Sequence, residues 1–171
     1  LIGTAVSFVI GFQNNSVYGR IWEARKIWGG IVNTSRTFGV YTQVMLSNEH
    51  TSSDIPNEEI KKEVRAITYR HIGWLTALRF SMRASKQWET TSKSKTNKEW
   101  GLQIPERVIS LPDALKPYLS KEDLEYVLSK GNPQTAILYL QSHHIKTLKE
   151  QGIVWEFSFL ELESLIKEMF T

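Results

Sequence analysis

LIGTAVSFVIGFQNNSVYGRIWEARKIWGGIVNTSR, residues 1–36, is the stretch of sequence that decides the fold. Residues 1–12 carry no charge, whereas the second half of the stretch is basic and bears tryptophan. An uncharged segment that leads into a basic segment with tryptophan is typical of a membrane span that enters the interface with water. We therefore predict that residues 1–46 form the end of a span and its helical continuation outside the bilayer.

The uncharged segment is short for a membrane span. Residues 1–12 are followed by polar side chains at 13–16, and a spanning helix needs roughly 20 apolar residues. Two interpretations stay open on these grounds: a buried core helix of a soluble protein, or the inner half of a span whose remainder precedes Leu1. Because the chain begins at Leu1 without Met and ends at Thr171 without a helix cap, we expect a fragment of a longer protein.

The composition is that of an ordinary folded domain. The 171 residues are 41% hydrophobic and 23% charged, which excludes wholesale disorder. The net charge of +3 is small, and no basic run alternates with aromatic residues, so we expect no nucleic-acid partner. The chain has no cysteine, which excludes disulfides, thiolate catalysis and cysteine-based zinc sites.

Helical periodicity runs through most of the chain and predicts an all-α fold. Residues 2–46 contain no proline and form one long predicted helix. A second predicted helix covers residues 57–85, with Asn57 as its N-cap. Its apolar residues recur at spacings of three and four, which indicates a buried stripe. The stripe consists of Ile60, Val64, Ile67, His71, Leu75, Leu78 and Met82.

Capping signals place three further helices in the second half of the chain. Ser120 begins the first of them, as a cap paired with Asp123, and Gly131 ends it. Asn132 and the following proline begin the next, which ends at Gly152. The last helix covers residues 153–170 and is amphipathic. Its apolar residues are Phe157, Leu160, Leu165 and Met169.

Two segments between these helices lack helical periodicity. Residues 102–117 carry three prolines, at 105, 112 and 117, and are predicted to be extended or turning. Residues 86–101 are rich in serine, threonine and lysine, and are predicted to form an exposed, mobile loop. The chain therefore divides into residues 1–46, a long helix, and residues 57–171, a helical region that contains this loop.

A row of side chains lies along one face of the first predicted helix. Thr4, Phe8 and Phe12 are spaced by four residues, so they share a face, and Gly11 lies beside it. Further along the helix, Glu23 has Arg20 three residues before it and Lys26 three residues after it. The pattern favours ion pairs between Glu23 and these two residues, with a role facing a conduction path as the alternative.

The sequence contains no signature of a catalytic, metal or nucleotide site. We find no phosphate-binding loop, dinucleotide fingerprint, nucleophile elbow, zinc-protease motif or EF-hand loop. His143 and His144 are adjacent, so on a helix they point about 100° apart and are expected to pack or lie on the surface. His71 falls on the apolar stripe and is expected to be a satisfied core histidine. We accordingly predict no enzyme, no cofactor and no bound metal.

Three motifs resemble one family in chain order. FVIGFQNNSVYGRIWEARKIWGGIVNTSR, residues 8–36, resembles the second transmembrane helix and following segment of the bestrophin family, closest to its bacterial and fungal members. YRHIGWLTALRFSMR, residues 69–83, resembles the next signature of the family, and residues 157–170 resemble its cytosolic helix before the third span. The motif residues are Gly11, Asn14, Arg20, Trp22, Glu23, Arg25, Trp28, Asn33, Arg36, Arg70, His71, Arg79 and Arg83.

The resemblance implies a subunit of a homopentameric ion channel with one central pore. In the family, three apolar positions spaced by four line a hydrophobic neck, and they correspond to Thr4, Phe8 and Phe12. Thr4 replaces the usual aliphatic residue, so that ring of the neck is expected to be more polar. Segments resembling the first, third and fourth spans and the acidic calcium clasp are not found, so the resemblance implies a channel fragment, with calcium gating in doubt.

The predicted function is passive conduction of anions such as chloride through this neck. The expected partners are further copies of the chain, the lipid bilayer and the permeant ions. The resemblance also implies a multi-pass membrane protein with most of this fragment on the cytoplasmic side. One alternative is a cation-conducting homologue of the bacterial type. Another is a soluble helical interaction module, which requires the chain's own helices to bury residues 1–12.

Overall fold

The computed structural model describes residues 2–49, 55–84 and 103–170, together with the isolated residues 95 and 99. Within these ranges the chain forms helices and no strands, so the all-α prediction is confirmed. The predicted mobile loop at 86–101 lies outside the described residues, apart from positions 95 and 99. In chain order the helices are α1 (Ile2–Met45), α2 (Asn57–Arg83), α3 (Pro105–Val108), α4 (Leu111–Leu115), α5 (Lys121–Leu128), α6 (Pro133–Glu150) and α7 (Glu156–Glu168).

Helix α1 is a single uninterrupted helix of 44 residues, as the absence of proline predicts. At 1.5 Å per residue it is about 66 Å long. Its end is fixed by a short antiparallel bridge between Leu46 and Val154. There the Ser47 amide donates to the Ile153 carbonyl at 3.1 Å.

Helix α2 is the centre of the bundle and confirms most of the predicted stripe. Ile60, Ile67 and His71 are buried, and the register continues through Trp74, which is 2% exposed. Met82 is 52% exposed, contrary to the prediction, because the last turn of α2 borders an open groove instead of a neighbouring helix.

The start of α2 differs from the prediction in one residue. The N-cap is Pro56, which has extended backbone angles and makes no side-chain capping bond. Asn57 is the first helical residue, so the prediction that Asn57 caps the helix is wrong. Glu58 and Glu59 nevertheless lie in the first turn, where negative side chains favour the helix dipole.

The proline-rich segment is helical where an extended or turning chain is predicted. Pro105 begins α3, and Pro112 lies in the first turn of α4. Proline at these positions loses no intrahelical hydrogen bond, because the first amides of a helix have no partner. Ser110 caps α4 by accepting a hydrogen bond from the Asp113 amide.

The N-cap predictions for α5 and α6 are confirmed, whereas α5 ends at Leu128 with Ser129 as its C-cap, so the prediction that Gly131 ends it is wrong. The Ser120 hydroxyl accepts from the Asp123 amide at 3.1 Å, and the Asn132 side-chain oxygen accepts from the Thr135 amide at 3.1 Å. Gly152 follows α6 with a φ of 79°, a left-handed conformation that glycine adopts without a Cβ penalty.

The last helix begins later than predicted, and its predicted apolar face is confirmed only at Leu165 and Met169. Ile153 and Val154 are buried but precede the helix, which starts at Glu156. Phe157 and Leu160 are 63% and 55% exposed, so the prediction that they form the apolar face is wrong. The buried face consists of Leu162, Leu165 and Ile166.

The hydrophobic core lies between α2, α6, α7 and the last third of α1. Helix α2 packs on α6, α7 packs on both α6 and α1, and α5 closes one side against α6. Helix α1 contributes Phe38 and Thr42 as buried residues, and Leu46, which directly follows it, is buried as well. The rest of the core consists of Ile60, Ile67, Trp74, Ala77, Leu115, Leu119, Val127, Ala136, Ile137, Leu138, Ile145, Leu148, Ile153, Val154, Leu162, Leu165 and Ile166.

Candidate functional site

The first part of α1 makes a surface that the bundle leaves uncovered. Every residue from Gly3 to Gly30 whose side chain the structure describes is exposed. The apolar side chains are included, since Val9, Ile10 and Ile21 are 54–60% exposed. An apolar surface of this extent on a folded chain marks an interaction surface. The candidate site is therefore sought on this part of α1.

One face of this segment carries the two phenylalanines. The rings of Phe8 and Phe12 are in contact, with centroids 5.9 Å apart and a 40° tilt between planes. Both rings are almost two-thirds exposed. They form a shallow groove together with small and polar neighbours, and its lining is Thr4, Ser7, Phe8, Gly11, Phe12 and Asn15. The predicted stripe is thus a continuous surface in the folded chain.

The polar side chains of this face are small or already bonded. The Ser7 hydroxyl donates a hydrogen bond to the Gly3 carbonyl at 2.9 Å, so its hydrogen is already engaged within the helix. At Gly11, an added Cβ would meet no described atom within 4 Å. No described residue therefore requires glycine at this position, and the groove beside Phe8 and Phe12 stays open.

The remaining motif residues of α1 are also exposed. The structure places them on several faces of the helix instead of bringing them to one point; they are Asn14, Arg20, Trp22, Glu23, Arg25, Trp28, Asn33 and Arg36. Among the described ion pairs none involves Glu23. The expected pairing of Glu23 with Arg20 and Lys26 is therefore wrong, since exposed side chains gain little by holding one geometry.

Two of the three motif arginines of α2, Arg70 and Arg79, tie this helix to its neighbours. Arg79 pairs with Glu106, whose side chain is 4% exposed, and so ties α2 to α3. Arg83 is exposed in the last turn of α2. Arg70 reaches between helices and donates to the Asp123 carboxylate at 2.9 Å. Arg70 and Arg79 thus stabilise the bundle that supports α1 and do not form a site on α1.

Arg70 belongs to a partly buried network that sequence reasoning did not find. Its guanidinium donates to His144 Nδ1 at 2.8 Å, and His144 Nε2 contacts Glu63 at 2.8 Å. Because a guanidinium only donates, Nδ1 must accept, so Nε2 carries the hydrogen and donates to Glu63. Burial lowers the pKa of His144, with the Arg70 charge acting in the same direction and Glu63 opposing it.

Gln141 completes this network from the buried side. Its side-chain oxygen accepts from Arg70 at 3.4 Å, and its amide donates to the Ile67 carbonyl at 3.1 Å. The partners lie 53 to 81 residues apart along the chain. No local sequence pattern identifies such a set. His144, expected to pack or lie on the surface, joins α2 to α6 through specific hydrogen bonds.

His71 lies in an aromatic stack in the core. Its ring is 5.0 Å from Phe38 and 5.2 Å from Trp74, measured between centroids. His71 is a core histidine, as expected, but its buried Nε2 has no hydrogen-bond partner among the described residues, so the expectation that it is satisfied is not met there. Burial lowers the pKa of His71 to about 4, which keeps the ring neutral among its apolar neighbours.

A second groove lies where α1 meets the bundle. It encloses about 580 Å³ between α1, α2, α6 and α7. Ile27, Ile31, Trp74 and Leu78 line it, and Glu168 accepts a hydrogen bond from Thr34 at 3.3 Å. A single carboxylate on an apolar wall does not form an acid–base pair. Within the described residues, no three acidic or histidine side chains are grouped to hold a metal ion.

Among the helices as described, none combines enough length with enough apolar character to cross a membrane.

Comparison with known proteins gives a match over the whole chain. The family model described as "Bacterial/Fungal Bestrophin protein" matches residues 1–171. The voltage-dependent anion channel-forming protein YneE of Escherichia coli is 24% identical over 169 residues, which are 99% of this chain and 44% of YneE. A voltage-dependent anion channel-forming protein of Ralstonia nicotianae is 51% identical over 37 residues, 22% of this chain and 12% of that protein.

Solved structures with a similar fold are also bestrophin homologs. A bacterial bestrophin homolog from Klebsiella pneumoniae superposes with a TM-score of 0.72 at 20% identity, over 99% of this chain and 51% of that one. The arrangement of helices is therefore shared at low sequence identity. Nearly the whole of this chain is matched, but it spans only about half the length of these relatives.

Proposed function

Because this chain belongs to the bacterial and fungal bestrophin family, we propose that it is part of a subunit of a membrane channel that passes anions. The observation that carries the proposal is the exposed face of α1, with Phe8 and Phe12 in ring contact and no described residue covering them. The relatives that match it over most of its length are named as anion channel-forming proteins. The function proposed is passive conduction and involves no catalysis.

The proposed pore is formed by copies of α1 around one axis. In a pentamer, five copies of Thr4, Phe8 and Phe12 would point at the axis and form a narrow neck. A ring of apolar side chains resists wetting, so ions such as chloride would cross only when the neck widens or the rings reorient. The positive edges of the phenylalanine rings would favour an anion over a cation.

The opposite face of α1 suits an apolar environment. Val6, Val9 and Val17 lie roughly 100° or more from the Phe8 direction, at 100° per residue, and each is more than half exposed. We propose that this face meets lipid or other spans of a multi-pass subunit. Because arginine and lysine follow from Arg20 onward, the remainder of α1 and the bundle would lie on the cytoplasmic side.

The soluble-module alternative requires burial of residues 1–12 by the chain's own helices. The described side chains of this segment are exposed instead, with Phe8 and Phe12 at 64% and 69%. Burying two such rings would contribute roughly 4 kcal/mol or more, and the bundle does not supply this contact. This observation favours an assembly in which other chains or lipid cover the segment.

Replacing both rings tests the proposed neck directly. The double change Phe8→Ala and Phe12→Ala removes the apolar constriction in the full-length subunit, so the single-channel conductance in planar bilayers should rise severalfold. Val9→Ala is the matched control, because it removes apolar volume from the same turn but points about 100° away from Phe8. Unchanged conductance and selectivity in the double variant would mean that these rings do not form the neck.

A further inference from the structure

We infer that Lys26 forms a ring of positive charge in the same pore, on the cytoplasmic side of the neck, and raises the selectivity for anions. The inference rests on the proposed function and adds a residue to it. It is carried by three observations: the register of Lys26 on α1, its exposure, and the absence of any described partner for its ammonium group.

The register follows from the continuity of α1. The helix is uninterrupted from Ile2 to Met45, so directions can be carried along it at 3.6 residues per turn. Lys26 follows Phe8 by five full turns on this geometry, and the two side chains point in the same direction. Asn15 and Trp22 fall within about 40° of the same line. A face that turns Phe8 toward an axis therefore turns Lys26 toward it as well.

The other charges of α1 lie away from this line. Measured from the Phe8 direction at 100° per residue, Glu23 is about 60° away and Arg36 about 80°. Arg25 is about 100° away, and Arg20 about 120°. Lys26 is thus the charged residue of α1 that shares the direction of the rings, with Glu23 the nearest carboxylate beside it.

The ammonium group of Lys26 is available to a passing ion. The side chain is exposed, and no described ion pair or side-chain hydrogen bond engages it. Glu23, three residues earlier, does not neutralise it. Five unpaired ammonium groups around one axis would sum to a positive field in the water-filled part of the pore.

The position of the ring determines what it can do. Lys26 is about 27 Å along the helix from Phe8, at 1.5 Å per residue, so it does not narrow the apolar constriction. It would act instead on the local concentrations of ions that enter the neck, raising anions and lowering cations. Rings of lysine or arginine serve this purpose in anion pores. The effect should weaken as salt shortens the screening length.

The test is the chloride-to-sodium permeability ratio of the full-length channel in bilayers, taken from reversal potentials in asymmetric sodium chloride. We expect Lys26→Gln to lower the ratio about threefold and Lys26→Glu about tenfold, with the difference shrinking at high salt. Lys26→Arg keeps the charge and should retain the ratio. Arg25→Gln is the matched control, because it removes the same charge at nearly the same depth but on another face.

The outcomes separate this inference from the proposed function. Chloride current with an unchanged ratio in Lys26→Gln and Lys26→Glu would overturn the role of Lys26 and leave the channel in place. An equal shift in Arg25→Gln would also overturn it, because the effect would then be one of net charge and not of register. Absence of any ion current in the unmutated full-length protein would overturn both proposals together.

Discussion

His71 shows how one buried side chain makes the bundle sensitive to acid. Its ring lies between Phe38 and Trp74, and no described residue forms a hydrogen bond with its Nε2. Burial lowers its pKa from 6.5 to about 4. The folded state therefore binds fewer protons than the unfolded state between these two pH values, and stability falls as the pH falls through this window.

We predict that the free energy of unfolding decreases by about 3 kcal/mol between pH 6.5 and 4 through His71 alone. Replacement His71→Leu removes the titrating group while keeping an apolar side chain of similar volume, so the pH dependence should become shallower by that amount. Denaturant unfolding at several pH values measures it. Equal loss of stability in both proteins over this window would show that His71 is not the cause.

Protonation of His144 should also destabilise the bundle at low pH. The test therefore replaces His71 alone and leaves His144 in place in both proteins. The pKa of His144 is also lowered, and protonation of Nδ1 would remove the acceptor for Arg70 and place two positive charges together. The exposed histidine His143 has no such contact with Arg70. The two adjacent histidines thus have different structural roles, because His144 points into the bundle and His143 does not.

At the scale of the elements, two asparagines that look alike in the sequence differ in whether they cap a helix. Both precede a predicted helix, but Asn132 accepts a hydrogen bond from the Thr135 amide, whereas Asn57 is already helical and makes no cap. We predict that Asn132→Ala lowers the free energy of unfolding by about 1 kcal/mol. Asn57→Ala should leave it unchanged or raise it slightly, because alanine has the higher helix propensity.

Urea unfolding of the two variants beside the parent protein measures this difference. A loss at position 57 as large as that at 132 would contradict the assignment of the caps. Both replacements remove the same side-chain amide from the start of a helix, and neither changes a residue of the hydrophobic core. The two changes in the free energy of unfolding can therefore be compared directly.

Local signals predicted most of the helices. The lack of proline in α1, the Ser120 and Asn132 caps and the left-handed Gly152 are decided within a few residues, so the sequence alone identifies them. The predictions were wrong where one local signal is compatible with two different backbone structures. Pro105 and Pro112 suggested extended chain but begin short helices, because proline is compatible with both.

Tertiary partners decided what the sequence could not. Phe157 and Leu160 are apolar but lie on the exposed face of α7, because α7 packs on α6 and α1 through its other face. The network of Arg70, Asp123 and His144 likewise joins residues more than 50 positions apart. The stripe of Thr4, Phe8 and Phe12 followed from spacing, whereas its exposure required the folded chain.

For the whole molecule, the structure consists of a packed bundle and a helix that extends from it. We propose that residues 1–46 serve as the pore helix with its extension and residues 57–171 as the cytosolic region. The bundle holds the last third of α1 through Phe38 and Thr42, and through Leu46, the residue directly after it, so it would fix the direction in which the free part of the helix points. Conduction would then depend on the orientation that the bundle gives to Phe8 and Phe12.

The structure of the assembled full-length protein in lipid, determined by electron cryomicroscopy, tests the central claim most directly. The proposed pore requires that Phe8 and Phe12 of every subunit face one symmetry axis and form its apolar constriction, with Lys26 facing the same axis on the bundle side. An assembly in which both rings face lipid, or pack inside a single subunit away from any axis, would contradict the proposal.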